Sequence, residues 1–75
     1  MSLVRKRSLS IRGHRTSVSL EDAFFAELEA IAKSRNIALA ALVAEIDGAR
    51  PRDANLSSAL RLHVLEWLKA GRTEE

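Results

Sequence analysis

The segment Arg15-Thr16-Ser17-Val18-Ser19-Leu20 alternates polar and apolar residues with period two and runs straight into Glu21-Asp22. Period two is the mark of a strand with one buried and one wet face. A lone strand of this length cannot satisfy its own N–H and C=O groups, and no later stretch reads as a strand. The natural partner is the same segment of a second copy, which predicts an antiparallel ribbon shared between subunits. Length points the same way. A chain of 75 residues without cysteine makes one small domain of marginal core, with neither a disulfide nor a thiolate metal site to staple it. Association of copies is the remaining staple.

Upstream, Arg7 to Arg12 alternates again, but with Leu9 and Ile11 on odd numbers, whereas the apolar residues after Gly13 fall on even ones. A strand changes phase only through an extra residue or a turn. Either one long strand bulges at Gly13, or Gly13-His14 is a tight turn between two strands. Residues 1–6 read as a flexible basic arm.

Three helices follow. Ser19 with Asp22 resembles a capping box for a helix over 21–34, whose stripe is Phe24, Phe25, Leu28, Ile31 and Ala32. Asn36 tolerates the left-handed backbone that ends many helices. Leu39, Leu42, Val43 and Ile46 define a second helix over 38–47, with Gly48 as its end and Pro51 shortly after. A polar linker over 49–54 leads to Asn55, the cap of a third helix over 56–70 that Gly71 closes. In it Leu56, Leu60, Val64, Trp67 and Leu68 form one broad side, which Leu62 and Leu65 widen. So broad an arc predicts contacts beyond the chain's own core, in the dimer interface or in a tetramer through the third helix. Glu74 and Glu75 are expected to fray.

Charge is segregated. Residues 1–15 hold Arg5, Lys6, Arg7, Arg12 and Arg15 and no acid, while the remainder is net −3 against a total of +2. Basic residues beside a strand make a directed electrostatic feature that favours a polyanion. A two-stranded ribbon has the right width for the major groove of DNA. No apolar run approaches the ~20 residues of a membrane span, and the N-terminus lacks the apolar segment of a signal peptide, so a cytoplasmic protein without a membrane partner is expected. An enzyme needs a positioned nucleophile, acid–base pair or metal. With two histidines and no cysteine, no catalytic residue, cofactor or metal site is predicted. His14 belongs with the basic ribbon, and His63 reads as a partly buried helix residue.

Strand, helix, short turn and helix after a basic arm resemble the ribbon-helix-helix family of bacterial DNA-binding proteins over Arg15 to Gly48. The resemblance is closer in Ile11-Arg12-Gly13-His14-Arg15-Thr16-Ser17-Val18-Ser19-Leu20-Glu21. With Leu42-Val43-Ala44-Glu45-Ile46-Asp47 and Asn55-Leu56-Ser57-Ser58-Ala59-Leu60-Arg61-Leu62, that run is similar to very short single-domain members predicted to bind DNA. The resemblance implies a mainly α fold with one N-terminal strand paired to a second subunit, a core over 7–48, and a third helix in the same domain over 55–75. It implies that Arg15, Ser17 and Ser19 face base edges, while Thr16, Val18 and Leu20 turn into a dimer core with Leu42, Val43 and Ile46. Arg5, Lys6, Arg7, Arg12 and His14 would meet phosphates, as would the backbone N–H groups of Ala38, Leu39 and Ala40 at a helix start. Ala38 stands where family members often carry a capping hydroxyl.

Two functions are thereby expected for comparison. One is a homodimeric double-stranded DNA-binding transcriptional regulator. The other is an oligomerisation or protein-interaction module on the same fold, antitoxin-like or without DNA binding.

Overall fold

The computed structural model describes residues 3–72. Two strands come first, β1 (Val4–Ile11) and β2 (His14–Glu21), then α1 (Asp22–Ser34), α2 (Leu39–Ala49) and α3 (Leu56–Arg72). The strands pair with each other, antiparallel, from Ile11 opposite His14 to Val4 opposite Glu21. The fold therefore has two N-terminal strands where one was expected. β2 finds its first partner in its own chain. From Val4 onward the expected arm is strand, and Met1, Ser2, Glu74 and Glu75 lie outside the described residues.

Arg12 and Gly13 form the turn, with φ of 52° and 80°. Positive φ at both central residues is the type I′ signature, whose twist matches that of the flanking strands. The turn is one residue earlier than Gly13-His14, because the second central position suits glycine. A two-residue turn also accounts for the phase change. Odd residues of β1 sit opposite even residues of β2, so Leu9 and Ile11 share a face with Thr16, Val18 and Leu20.

That face packs on the helices. Ile11, Val18, Leu20, Leu28, Ile31, Ala32, Leu42, Val43, Ile46, Leu60 and Val64 form one buried cluster, with Leu9, Phe24, Phe25 and Ile37 against it. Four of the six residues expected in a dimer core, Val18, Leu20, Leu42 and Val43, are at most 1 % exposed within a single chain. Ile46 is buried too and Thr16 half-buried.

The helix ends follow local chemistry. Glu21, in extended backbone, precedes α1 and makes no side-chain cap. Ser19 belongs to β2, so the expected capping box does not form. α1 closes as a Schellman motif, with Asn36 at φ 59°, its N–H donating to Lys33 and that of Ile37 to Ala32. α2 begins at Leu39 after an uncapped Ala38 and runs through Gly48 to Ala49. Its terminator is Pro51, which drives Arg50 into extended backbone (ψ 150°). Asn55 does cap α3, its Oδ1 accepting from the Ser58 N–H at 3.1 Å. Gly71 lies inside that helix.

Candidate nucleic-acid interface

The hairpin's outward face carries Lys6, Ser8 and Ser10 from β1 and Arg15, Ser17 and Ser19 from β2, all exposed. They oppose one another as Lys6–Ser19, Ser8–Ser17 and Ser10–Arg15. The face is flat and hydroxylated, with a cation at each of two diagonal corners. Its flanking acid, Glu21, is turned to Arg61, whose Nε donates at 3.0 Å. That guanidinium and the Glu21 backbone hold the carboxyl below its usual range, the backbone bond being the larger cause. Among the described residues neither Lys6 nor Arg15 is paired with an acid.

The other basic residues of the segment are placed differently. Arg7 lies on the inward face, where the parity of Leu9 and Ile11 puts it. Its guanidinium stacks 3.9 Å over the Phe25 ring and donates to Asp22 at 2.7 Å. Arg5 approaches the same Asp22 at 3.7 Å. Arg12 reaches from the turn to α2, donating to the Ala44 carbonyl at 3.2 Å. The same side chain lies over the glycine inside α2: a Cβ at position 48 would sit 2.8 Å from Arg12 Nη2. His14 is exposed beside the turn.

Of the expected anchor residues at the start of α2, Ala38 and Leu39 line an exposed depression with Glu29, Ala32, Lys33, Asn36 and Ile37, and Ala40 lies outside that lining. The helix dipole and Lys33 favour an anion there, and the Glu29 carboxylate opposes one. Arg35 donates from both terminal guanidinium nitrogens to the Glu45 carboxylate, at 2.9 and 3.1 Å. This bond lowers the Glu45 pKa and raises that of Arg35.

Sequence reasoning missed α3's hold on the ribbon. Ser57 Oγ accepts from the Ser19 N–H at 3.0 Å, and Arg61 donates to the Ser19 carbonyl at 3.2 Å. The third helix therefore closes part of the β2 edge.

Among the described residues no group of three His, Asp or Glu side chains is placed to hold a metal ion, and no helix is long and apolar enough to cross a membrane. A polar, cationic two-stranded ribbon leads directly into three helices. The model of the Ribbon-helix-helix domain family matches residues 4–68, and the chain belongs to that family. No curated protein and no solved structure matches it.

Proposed function

We propose that the protein binds double-stranded DNA as a homodimer and acts as a transcriptional regulator, presenting the outward face of its hairpin to the major groove. The observation that carries this reading is the division of charge on the ribbon. Acids and carbonyls of the helices occupy Arg5, Arg7 and Arg12, while Lys6 and Arg15 stand outward among serines. Small hydroxylated side chains let a strand approach base edges closely, and each donates or accepts there. A two-stranded antiparallel ribbon fits the groove.

The test is fluorescence anisotropy with random and selected duplexes across a salt series. A dimer bringing two copies of Lys6 and Arg15 to DNA predicts a slope of log affinity against log salt of about −2 to −4. Absent or salt-independent binding at low ionic strength favours the protein-interaction module. One observation supports an assembly surface beside the DNA face: Leu62, Leu65 and Leu68 are exposed on α3 by 58 %, 47 % and 45 %, a strip through which dimers would join as tetramers.

A further inference from the structure

In a hairpin closed by two residues, the residues flanking the turn exchange both hydrogen bonds, and bonded pairs then alternate along the ladder. Ile11–His14, Leu9–Thr16, Arg7–Val18 and Arg5–Leu20 are the bonded pairs. The backbone groups of the residues between them point away from the hairpin. Ser19 of β2 shows the direction, since its N–H and C=O are the groups bound by Ser57 and Arg61 of α3. On β1 the corresponding groups belong to Lys6, Ser8 and Ser10. Among the described residues none of these N–H and C=O groups has a hydrogen-bond partner, and all three residues are exposed.

This open edge is also charged, and the charge is not cancelled. Arg5, Lys6 and Arg7 stand in a row on β1. Among the described residues Asp22 is the one carboxylate paired with them. Arg7 Nη2 lies 2.7 Å from its Oδ1, and Arg5 Nε lies 3.7 Å from the same oxygen. One carboxylate balances one cation. Arg7 is the closer and is also stacked on Phe25, so the surplus stays with Arg5 and Lys6. The Arg5 side chain is 66 % exposed although Asp22 is near. Neighbouring strand residues point to opposite faces; Lys6 is on the outward face and Arg5 on the helix side, away from any duplex on the outward face.

The combination selects its ligand. A phosphate accepts hydrogen bonds and cannot donate them, whereas the edge presents C=O groups as often as N–H groups. A second β1 carries the same surplus and is repelled. An apolar strand leaves both cations without a counter-charge. An extended acidic chain answers every group: its backbone meets the alternating donors and acceptors, and its carboxylates meet Arg5 and Lys6.

We infer that β1 receives an acidic extended segment of a partner protein as a third, antiparallel strand. Its bonded pairs form with Lys6, Ser8 and Ser10, whose groups face it. Residues directly opposite share a face and interact through their side chains. The partner therefore carries acids opposite Arg5 and Lys6, an apolar residue opposite Leu9, and small hydroxylated residues opposite Ser8 and Ser10. Arg7 already has Asp22, so an uncharged residue suits the position facing it.

The experiment uses the full chain and a terminally blocked, fluorescent peptide, Thr-Val-Thr-Thr-Glu-Glu, followed by anisotropy. From N- to C-terminus its residues stand opposite Ser10, Leu9, Ser8, Arg7, Lys6 and Arg5. Arg5→Ala and Lys6→Ala should each weaken binding by up to about fivefold, and salt should weaken it further. The double variant Arg5→Glu, Lys6→Glu should refuse this peptide and accept Thr-Val-Thr-Thr-Lys-Lys. N-methylation of the peptide's third residue removes the N–H that faces Ser8 and should abolish binding. N-methylation of the fourth, whose N–H points away from β1, should be tolerated. Equal loss on either methylation would reveal ionic capture without strand addition and overturn the inference. So would no binding by wild type of normal helical circular dichroism, or a charge-reversed variant that still prefers the acidic peptide. A homodimer that already protects the Ser8 amide from hydrogen exchange before peptide is added would overturn it too. Duplex binding is measured in parallel. Peptide binding without duplex binding would overturn the DNA reading alone; duplex binding without peptide binding would overturn only the acidic third strand.

Discussion

Replacing Gly48 with alanine tests the link between hairpin tip and α2. In an ordinary helix interior this change stabilises by roughly 0.5–1 kcal/mol, because glycine loses more backbone freedom on folding. Position 48 is the last but one of α2, so the lower figure, ~0.5 kcal/mol, applies. The new Cβ would stand 2.8 Å from Arg12 Nη2. The far end of an arginine can move, and in moving it gives up its bond to the Ala44 carbonyl. An exposed hydrogen bond from a charged donor contributes ~0.5–1 kcal/mol. The two effects nearly offset, so Gly48→Ala should leave urea stability within ~0.5 kcal/mol of the wild type. In an Arg12→Ala background the obstacle is gone, and the same change should stabilise by about 0.5 kcal/mol. Alanine also carries a Cβ, so the left-handed strain at position 12 remains in both backgrounds and drops out of the cycle. A coupling of ~0.5–1 kcal/mol is expected. Function supplies a second readout. The freed guanidinium can reach phosphate, so Gly48→Ala should steepen the salt slope of duplex binding by up to about 1.8, two cations per dimer. Strict additivity together with an unchanged slope would refute the assignment of Arg12 to α2.

Val18→Asp places a carboxylate at a site 1 % exposed and should cost more than ~3 kcal/mol, seen as lost helical circular dichroism rather than as a folded monomer. Asn55→Ala removes the α3 cap and should lower stability by roughly 0.5–2 kcal/mol, measured by denaturant titration. The Glu21 carboxyl is held below its ordinary value of 4.5 by its backbone bond and Arg61. A depressed carboxylate contributes stability that is present above the ordinary value and lost as pH falls through the folded one. The melting temperature of the wild type should therefore fall below about pH 4.5 more steeply than that of Glu21→Gln, and parallel curves would remove this ion pair from the acid response.

What was legible in the sequence was periodicity, and what was not was pairing. The stripes of α1 and α2, Leu60 and Val64 of α3, and the inward set Thr16, Val18 and Leu20 follow from spacing alone, because burial imposes its period on composition; Trp67 and Leu68, expected on the same side of α3, are exposed. The phase change at Gly13 already pointed to a break there, and the two-residue turn is the form that puts odd residues of β1 and even residues of β2 on one face. Extending the same odd parity backward places Arg5 and Arg7 inward. Reading the segment as a charge run hid that, because composition carries no direction. Gly48 misled for a related reason. A glycine near a helix end is read as a terminator, yet here the constraint comes from Arg12, distant in sequence. Ser57 and Arg61 left no local trace, since their partner is a backbone edge.

The in-chain hairpin changes what a second copy is for. From the sequence, a partner appeared necessary twice over, to satisfy the strand backbone and to bury Val18 and Leu20. β1 does the first within the chain, and the helices do the second. A second copy would then join a domain that is already folded, which makes folding and association separable steps. An obligate ribbon dimer would melt at a temperature that falls continuously with dilution, because its monomer has no folded state. Here the melting temperature should fall with dilution only while dimer is present, then level off below the dimer dissociation constant found by sedimentation. A melting temperature that keeps falling through and beyond the dissociation constant would show that the lone hairpin cannot hold the core, and that the strands need the other subunit after all.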